Sequence, residues 1–284
     1  MRTWLFVPGH ETKMVVKALR SGADAVIIDW EDAVPPEAKA LARERTHELL
    51  EHHYAPLAPL IIVRVNGARS EAFAADLPAL RGLPVGAVML AKAAGPEDVE
   101  ACAGAGFPLI LLVESALGVE EALALARAHA GVERLAFGSL DFLADIGASW
   151  SPEGEALLYA RARLVSCSRA AGLEPPIDGV WPKLEDEAGL VRDAKLARAL
   201  GFGGKLLVHP KQLAPVREAF APSSDELERA RRIVRAAAGV EAGGALRLGD
   251  EMIDPPVVRW ARQLLAASRE EVVAETDEAK SPEG

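Results

Sequence analysis

Phe107-Pro108-Leu109-Ile110-Leu111-Leu112-Val113-Glu114 is an apolar run that ends on a carboxylate, and Leu135-Ala136-Phe137-Gly138-Ser139-Leu140-Asp141 repeats that arrangement one element later. Such runs, too short for buried helices and apolar on both faces, are the signature of strands in a covered parallel sheet. The same design recurs with Arg64 after Leu60 to Val63, Lys92 after Ala87 to Ala91, Asp178 after Ile177 and His209 after Leu206 to Val208. If the strands are parallel, every polar end lies on one rim, where a β/α barrel places its active site.

Strand-like runs fall near residues 3–7, 24–29, 60–65, 86–91, 108–113, 134–138, 176–180 and 204–208. Amphipathic segments alternate with them: Glu37 to His53, Val119 to Ala130 and Glu187 to Leu200 each carry apolar residues on one side and charges elsewhere. Pro96, Glu97 and Asp98 mark a helix start, and Gly104 and Gly106 its end. Eight alternations predict an α/β fold, a closed (β/α)8 barrel, over residues 1–222. Beyond it, residues 223–268 read as a helical extension, with a helix from Ser223 to Ala238, a Gly-rich loop from Gly243 to Asp254 and a second helix from Pro255 to Ala267. Residues 269–284, acidic and without an aromatic, read as a solvated, disordered tail.

The chain of 284 residues exceeds the common domain length but suits one barrel of about 250 residues with an appendage. A net charge of −10 argues against nucleic acid as a partner, since a clustered basic face is the footprint of such binding. No run approaches the about 20 apolar residues of a membrane span. Cys102 and Cys167 show no metal or disulfide spacing, and a short apolar run at Thr3 to Val7 followed by charges does not read as a signal peptide. The expected compartment is the cytoplasm.

Glu114 and Asp141, delivered from neighbouring strand ends, suit Mg²⁺, which takes oxygen ligands and keeps positions for water or a 2-keto or 2-hydroxy acid. Either acid would equally serve as the cap of the following helix. Arg64, inside Val63-Arg64-Val65-Asn66-Gly67, needs an anion if buried. A substrate carboxylate or developing enolate would supply one, as would an ion pair with Glu31 or Asp32. The three acids of Asp29-Trp30-Glu31-Asp32 exceed what capping requires and suit a place behind the metal, holding its waters or orienting Arg64 and Lys92. Lys13 and Lys17 share a helix face that would meet phosphates or merely water. His209 reads as structural. Asp254, in Met252-Ile253-Asp254-Pro255-Pro256, lies beyond the barrel.

Leu5-Phe6-Val7-Pro8-Gly9, Asp29-Trp30-Glu31-Asp32-Ala33-Val34, Val63-Arg64-Val65-Asn66, Gly138-Ser139-Leu140-Asp141, Gly201-Phe202-Gly203-Gly204-Lys205, Val208-His209-Pro210 and Met252-Ile253-Asp254 stand in an order and spacing that resembles the citrate lyase beta-subunit-like family. That family comprises metal-dependent carbon–carbon lyases related to the phosphoenolpyruvate/pyruvate barrels, and the likeness runs from about residue 2 to 268. It implies a TIM barrel, usually a homotrimer, that holds Mg²⁺ through Glu114 and Asp141 and contacts the keto acid and thioester oxygen through Arg64. It further implies CoA phosphates near Lys13 and Lys17, and Asp254 as the acid/base on a lid that in several members enters the neighbouring subunit's site. The reaction implied is reversible cleavage of a 2-hydroxyacyl thioester, such as citryl, malyl or citramalyl on CoA or an acyl carrier protein, to a 2-keto acid (oxaloacetate, glyoxylate or pyruvate) and an acyl thioester. Malate synthase-like or thioesterase activity, a subunit active only with an acyl carrier protein, and a keto-acid sensor are the alternatives. Trp30, Ala91 and Ser115 replace the family's usual leucine, proline and threonine; none removes a charged site residue.

Overall fold

Eight strands pair in sequence order and close on themselves: β1 (Thr3–Pro8), β2 (Ala25–Asp29), β3 (Leu60–Val65), β4 (Ala87–Leu90), β5 (Leu109–Val113), β6 (Val132–Phe137), β7 (Ile177–Asp178) and β8 (Gly204–Leu207). All neighbours are parallel, including β8 with β1. The structure is a computed structural model that describes residues 1–53, 60–237, 246–248 and 251–278. The chain divides into two compact units, Met1–Phe220 and Ala221–Gly284.

The barrel unit has two apolar layers because side chains alternate across each strand. Trp4, Ile27, Ile62, Met89, Ile110 and Leu206 belong to a cluster that fills the barrel. Their strand neighbours Leu5, Ile28, Val63, Leu90, Leu111 and Leu207 belong to a second cluster, shared with helix residues such as Ala42, Val99, Leu164 and Leu190. Strands buried on both faces therefore read as unbroken apolar runs, as the sequence shows.

The helices depart from expectation in instructive places. Pro35 and Pro36 hold the segment before Lys39 as a tight turn, so the second helix is Lys39–His53 rather than one begun at Glu37. The segment expected as one helix from Val119 to Ala130 is two, Ala116–Glu120 and Ala122–Arg127, parted at Glu121 (φ −83°, ψ 4°). Glu187–Leu200 forms as expected, stopped by Gly201 at φ 106°.

Asp178 corrects the reading of the rim. β7 has only two residues, and alternation turns Asp178 away from the barrel, where it is fully buried. There the Arg161 Nε and Nη2 groups each donate to it at 2.9 Å and Lys205 Nζ at 2.6 Å. Asp193 completes a quartet, accepting from Arg161 Nη2 at 2.8 Å and Lys205 Nζ at 2.5 Å. Two cations and two anions, each at most 8% exposed, neutralise one another between the barrel and the helices Leu158–Ala171 and Glu187–Leu200.

The second unit contains helices Ser224–Ala237 and Pro255–Glu278 around a small core of Ala230, Ile233, Ile253 and Ala261. Within the stretch expected as a Gly-rich loop, β9 (Leu246–Leu248) and β10 (Glu251–Ile253) pair antiparallel, and the rest up to Asp250 lies outside the described residues. The Pro255 helix runs to Glu278, past Ala267 where the sequence placed its end. The acidic composition argued against burial, yet Arg269-Glu270-Glu271-Val272-Val273-Ala274-Glu275 contains mostly residues that prolong a helix once it has begun. Residues 279–284 lie outside the described residues. Among the described residues no helix is long and apolar enough to cross a membrane.

The quartet makes a direct test of what holds the outer layer. Removing the ammonium by Lys205→Met leaves two buried carboxylates with only Arg161 to face. The expected loss is about 3–5 kcal/mol of unfolding free energy, seen as a lower urea midpoint with an unchanged slope.

Candidate active site

Asp29 and Arg64 are register partners on β2 and β3, on the inward-facing positions at the strand ends. The carboxylate takes the guanidinium from the side in a bidentate pair, Nε to Oδ1 at 2.7 Å and Nη2 to Oδ2 at 2.6 Å. Phe6 of β1 lies under it, with the guanidinium carbon 4.7 Å from the ring centroid. Nη1 stands 3.2 Å from Glu31 Oε2. Burial disfavours the Arg64 cation, but the Asp29 and Glu31 carboxylates outweigh it and hold its pKa above the ordinary arginine value. Arg64 is thus a permanent, oriented cation. Asp29 uses two of its five N–H groups, leaving donors on the terminal nitrogens for a ligand.

Asp29 also organises the loop that follows it, accepting the N–H of Glu31 and of Ala33 at 2.9 Å each. This brings Glu31 and Asp32 to Lys92, whose Nζ bonds Glu31 Oε1 and lies 3.1 Å from Asp32 Oδ1. Both carboxylates raise the lysine pKa against the opposing effect of burial. Lys92 is the one described non-glycine residue at positive φ, 54°. That backbone, which costs about 1 kcal/mol or more, turns its N–H onto Glu114 Oε1 at 2.8 Å.

Glu114 follows β5 and is 4% exposed, and its second oxygen, Oε2, is buried with no hydrogen-bond partner in the structure. Burial first, then the neighbouring Asp141 carboxylate, push its pKa up to about 8, against the pull of Arg64 and the Lys92 N–H. Asp141 lies in the first turn of the helix Ser139–Asp145, exposed; Gly138 is the N-cap, so Asp141 is free of the capping role. Gly138 has no alternative: a Cβ there would sit 2.4 Å from both Cβ and Oε2 of Glu114. An orphaned buried carboxylate oxygen beside a second carboxylate is what a hard divalent cation satisfies. Among the described residues no cluster of three or more His, Cys, Asp or Glu side chains has a metal-binding arrangement, so a cation held by the pair would keep positions for water or ligand oxygens.

The structure therefore gathers Arg64, Glu31, Asp32, Lys92, Glu114 and Asp141 on one rim. Lys13 and Lys17 are exposed on the helix Thr12–Leu19. His209 Nδ1 accepts the Lys211 N–H at 3.1 Å, at the start of the turn Pro210–Gln212. Asp254 belongs to the second unit, where its Oδ1 accepts the Val257 N–H at 3.1 Å and caps the last helix. The sequence reading paired Arg64 with Glu31 or Asp32 and missed Asp29 as its main partner. Counting inward positions on β2 and β3 would have found it. It also missed Lys39, Asn66 and Asp76, which brace the Glu31 loop from behind.

Residues 2–210 match the HpcH/HpaI aldolase/citrate lyase family, and residues 162–270 match a family described as a carbon–carbon bond lyase of the TIM-barrel fold. The chain is 34% identical to citrate lyase subunit beta of Escherichia coli strain K12, over 93% of this chain and 92% of that protein. It is also 34% identical to a (3S)-malyl-CoA thioesterase of Cereibacter sphaeroides strain ATCC 17025, covering 93% of each. Among solved structures, CitE from Mycobacterium tuberculosis in complex with magnesium, acetoacetate and coenzyme A superposes with a TM-score of 0.82 at 31% identity, covering 93% of this chain and 97% of that one. A family match across the barrel, joined by likeness over nearly all of the chain, makes this protein a member of the HpcH/HpaI aldolase/citrate lyase family of carbon–carbon lyases.

Proposed function

We propose that the protein reversibly cleaves a 2-hydroxyacyl thioester, of the citryl, malyl or citramalyl type, to a 2-keto acid and an acyl thioester, with Mg²⁺ held by Glu114 and Asp141. The observation that carries this reading is the buried Glu114 carboxylate, with an oxygen left over, beside the exposed Asp141 carboxylate and the fixed guanidinium of Arg64. When bound, Mg²⁺ supplies Lewis-acid polarisation of the substrate's hydroxyl and carboxylate oxygens. Arg64 stabilises the negative charge that gathers on the thioester oxygen as the carbon–carbon bond breaks, and Asp29 keeps it from reorienting. Glu31, Asp32 and Lys92 hold Arg64 and Glu114 in mutual register. Asp254 is assigned the proton transfer at the enolate carbon, and Lys13 and Lys17 the phosphates of a CoA carrier; both assignments are supported by the family motifs. In the reverse direction the same groups perform a condensation. The two cysteines, free and buried, accord with a cytoplasmic protein, and the family resemblance supports a homotrimer.

A second reading, hydrolysis of the thioester, is favoured by the likeness to the malyl-CoA thioesterase. One assay separates them. Purified protein with Mg²⁺ and citryl-, malyl- or citramalyl-CoA is expected to release keto acid and acyl-CoA in equal amounts, and EDTA to stop it. Free CoA in place of acyl-CoA would establish hydrolysis, whereas silence on all three, with turnover of the same acyl groups already loaded on an acyl carrier protein, would establish a carrier-bound substrate. Asp254→Asn is expected to lower kcat about 10²–10⁴-fold, and full turnover would remove Asp254 from the mechanism.

The raised pKa of Glu114 gives a pH dependence with a definite sign. Between its ordinary value of 4.5 and about 8, the folded protein binds a proton there that the unfolded chain does not. The metal-free protein therefore loses stability from this group as pH rises through that window. Mg²⁺ must displace the proton, so its affinity falls by up to about tenfold per pH unit below 8. Thermal unfolding at pH 6 and 8.5 should show a larger Mg²⁺-induced rise in Tm at pH 8.5; an equal rise at both would refute the assignment.

A further inference from the structure

Lys39 opens the helix Lys39–His53, a position where a lysine is ordinarily solvated. Here all three ammonium protons have protein acceptors: the carbonyls of Trp30 and Glu31 at 3.0 Å each and Asn66 Oδ1 at 2.6 Å. β2 ends at Asp29, so the Trp30 and Glu31 carbonyls lie beyond its ladder. Asn66 is itself fixed. Its Nδ2 donates to Trp30 O at 3.1 Å and to Asp76 Oδ2 at 2.7 Å, and its N–H reaches the same Asp76 oxygen at 2.8 Å. Arg43 Nη1 balances the fully buried Asp76 at 2.8 Å. The loop after β2 is thus held from behind by a cation, while the Glu31 side chain works forward on Arg64 and Lys92.

We infer that Lys39, braced through Asn66, Asp76 and Arg43, is a positioning residue that sets Glu31 and through it the orientation of Arg64. It touches no substrate and acts through the main chain of Trp30 and Glu31. The link to turnover rests on the role proposed for Arg64; the brace itself does not. An uncharged side chain at 39 would take the Lys39 donor from Asn66 Oδ1, leave the Trp30 carbonyl with the Asn66 Nδ2 group and the Glu31 carbonyl with the Val34 N–H, and so loosen the loop from behind.

The test compares wild type, Lys39→Met, and Lys39→Cys before and after alkylation with bromoethylamine, which rebuilds an ammonium of nearly lysine length. Cys102 and Cys167 are buried, and burial pushes the Cys102 thiol up to about 12, so alkylation is directed to the new thiol. In Lys39→Met, hydrogen exchange at the amides of Glu31, Asp32 and Ala33 is expected to quicken about tenfold with β5 and β6 unchanged. On the thioester that the wild type turns over, kcat should fall about 10²-fold with KM and calorimetric Mg²⁺ affinity held. Alkylation of Lys39→Cys should restore slow exchange and kcat together. Unchanged exchange at residues 31–33 overturns the brace whatever the activity. Fast local exchange with undiminished kcat overturns the link to Arg64. Faster exchange throughout, without recovery on alkylation, makes Lys39 a general stabiliser and overturns both. A wild type that turns over no thioester defeats the reading of the reaction, and the exchange arm still decides the brace.

Discussion

The bidentate pair between Asp29 and Arg64 is the constraint around which the rim is arranged. A guanidinium buried at the mouth of an apolar barrel is tolerable only with an anion in its plane, and adjacent parallel strands supply one at the same level. Asp29 then has oxygen capacity left for the amides of Glu31 and Ala33. The turn after β2 is consequently shaped by the carboxylate that orients the guanidinium. Glu31 stands between two cations, and Lys92 passes the arrangement on to Glu114 through its own N–H. Four consecutive strand ends, β2 to β5, are joined by a chain of ion pairs that closes on a backbone hydrogen bond.

Cohesion at that rim is matched by an imbalance. Glu114 and Asp141 repel each other, and a buried oxygen of Glu114 has no donor. Folded proteins rarely leave such an atom uncompensated, so the defect is informative: the rim is built for something positive that the chain does not itself provide. The left-handed backbone of Lys92 and the missing side chain at Gly138 are local concessions to the same carboxylate.

The barrel was legible because its strands are covered on both faces, so apolar runs ending in charge recur with helical segments between them. Arg64 and Glu114 stood out for interrupting or ending those runs. Asp29 was visible as an acid but not as a partner, since three acids in four residues look alike until strand register is known. Lys39 was invisible: at the start of an amphipathic helix a lysine reads as solvated, and only the fold brings two carbonyls and an amide to its tip. Asp178 misled because its facing depends on where a two-residue strand begins. The last helix runs past Ala267, where the sequence placed its end, because a helix once begun can be prolonged by propensity alone.

The quartet of Arg161, Asp178, Asp193 and Lys205 sits where the barrel has least ladder. β6 and β7 share one register pair, β7 and β8 two, and β8 and β1 three, against five between β1 and β2. Two short strands with so few backbone bonds are poorly protected against sliding by a residue, which would reverse the facing of every side chain. A slip would carry Asp178 or Lys205 into the apolar lumen and strip each of its counterion. The charges thus work as a key at the closing seam, admitting one alignment of the final strands and making misthreaded closures costly, whatever they add to the depth of the native well.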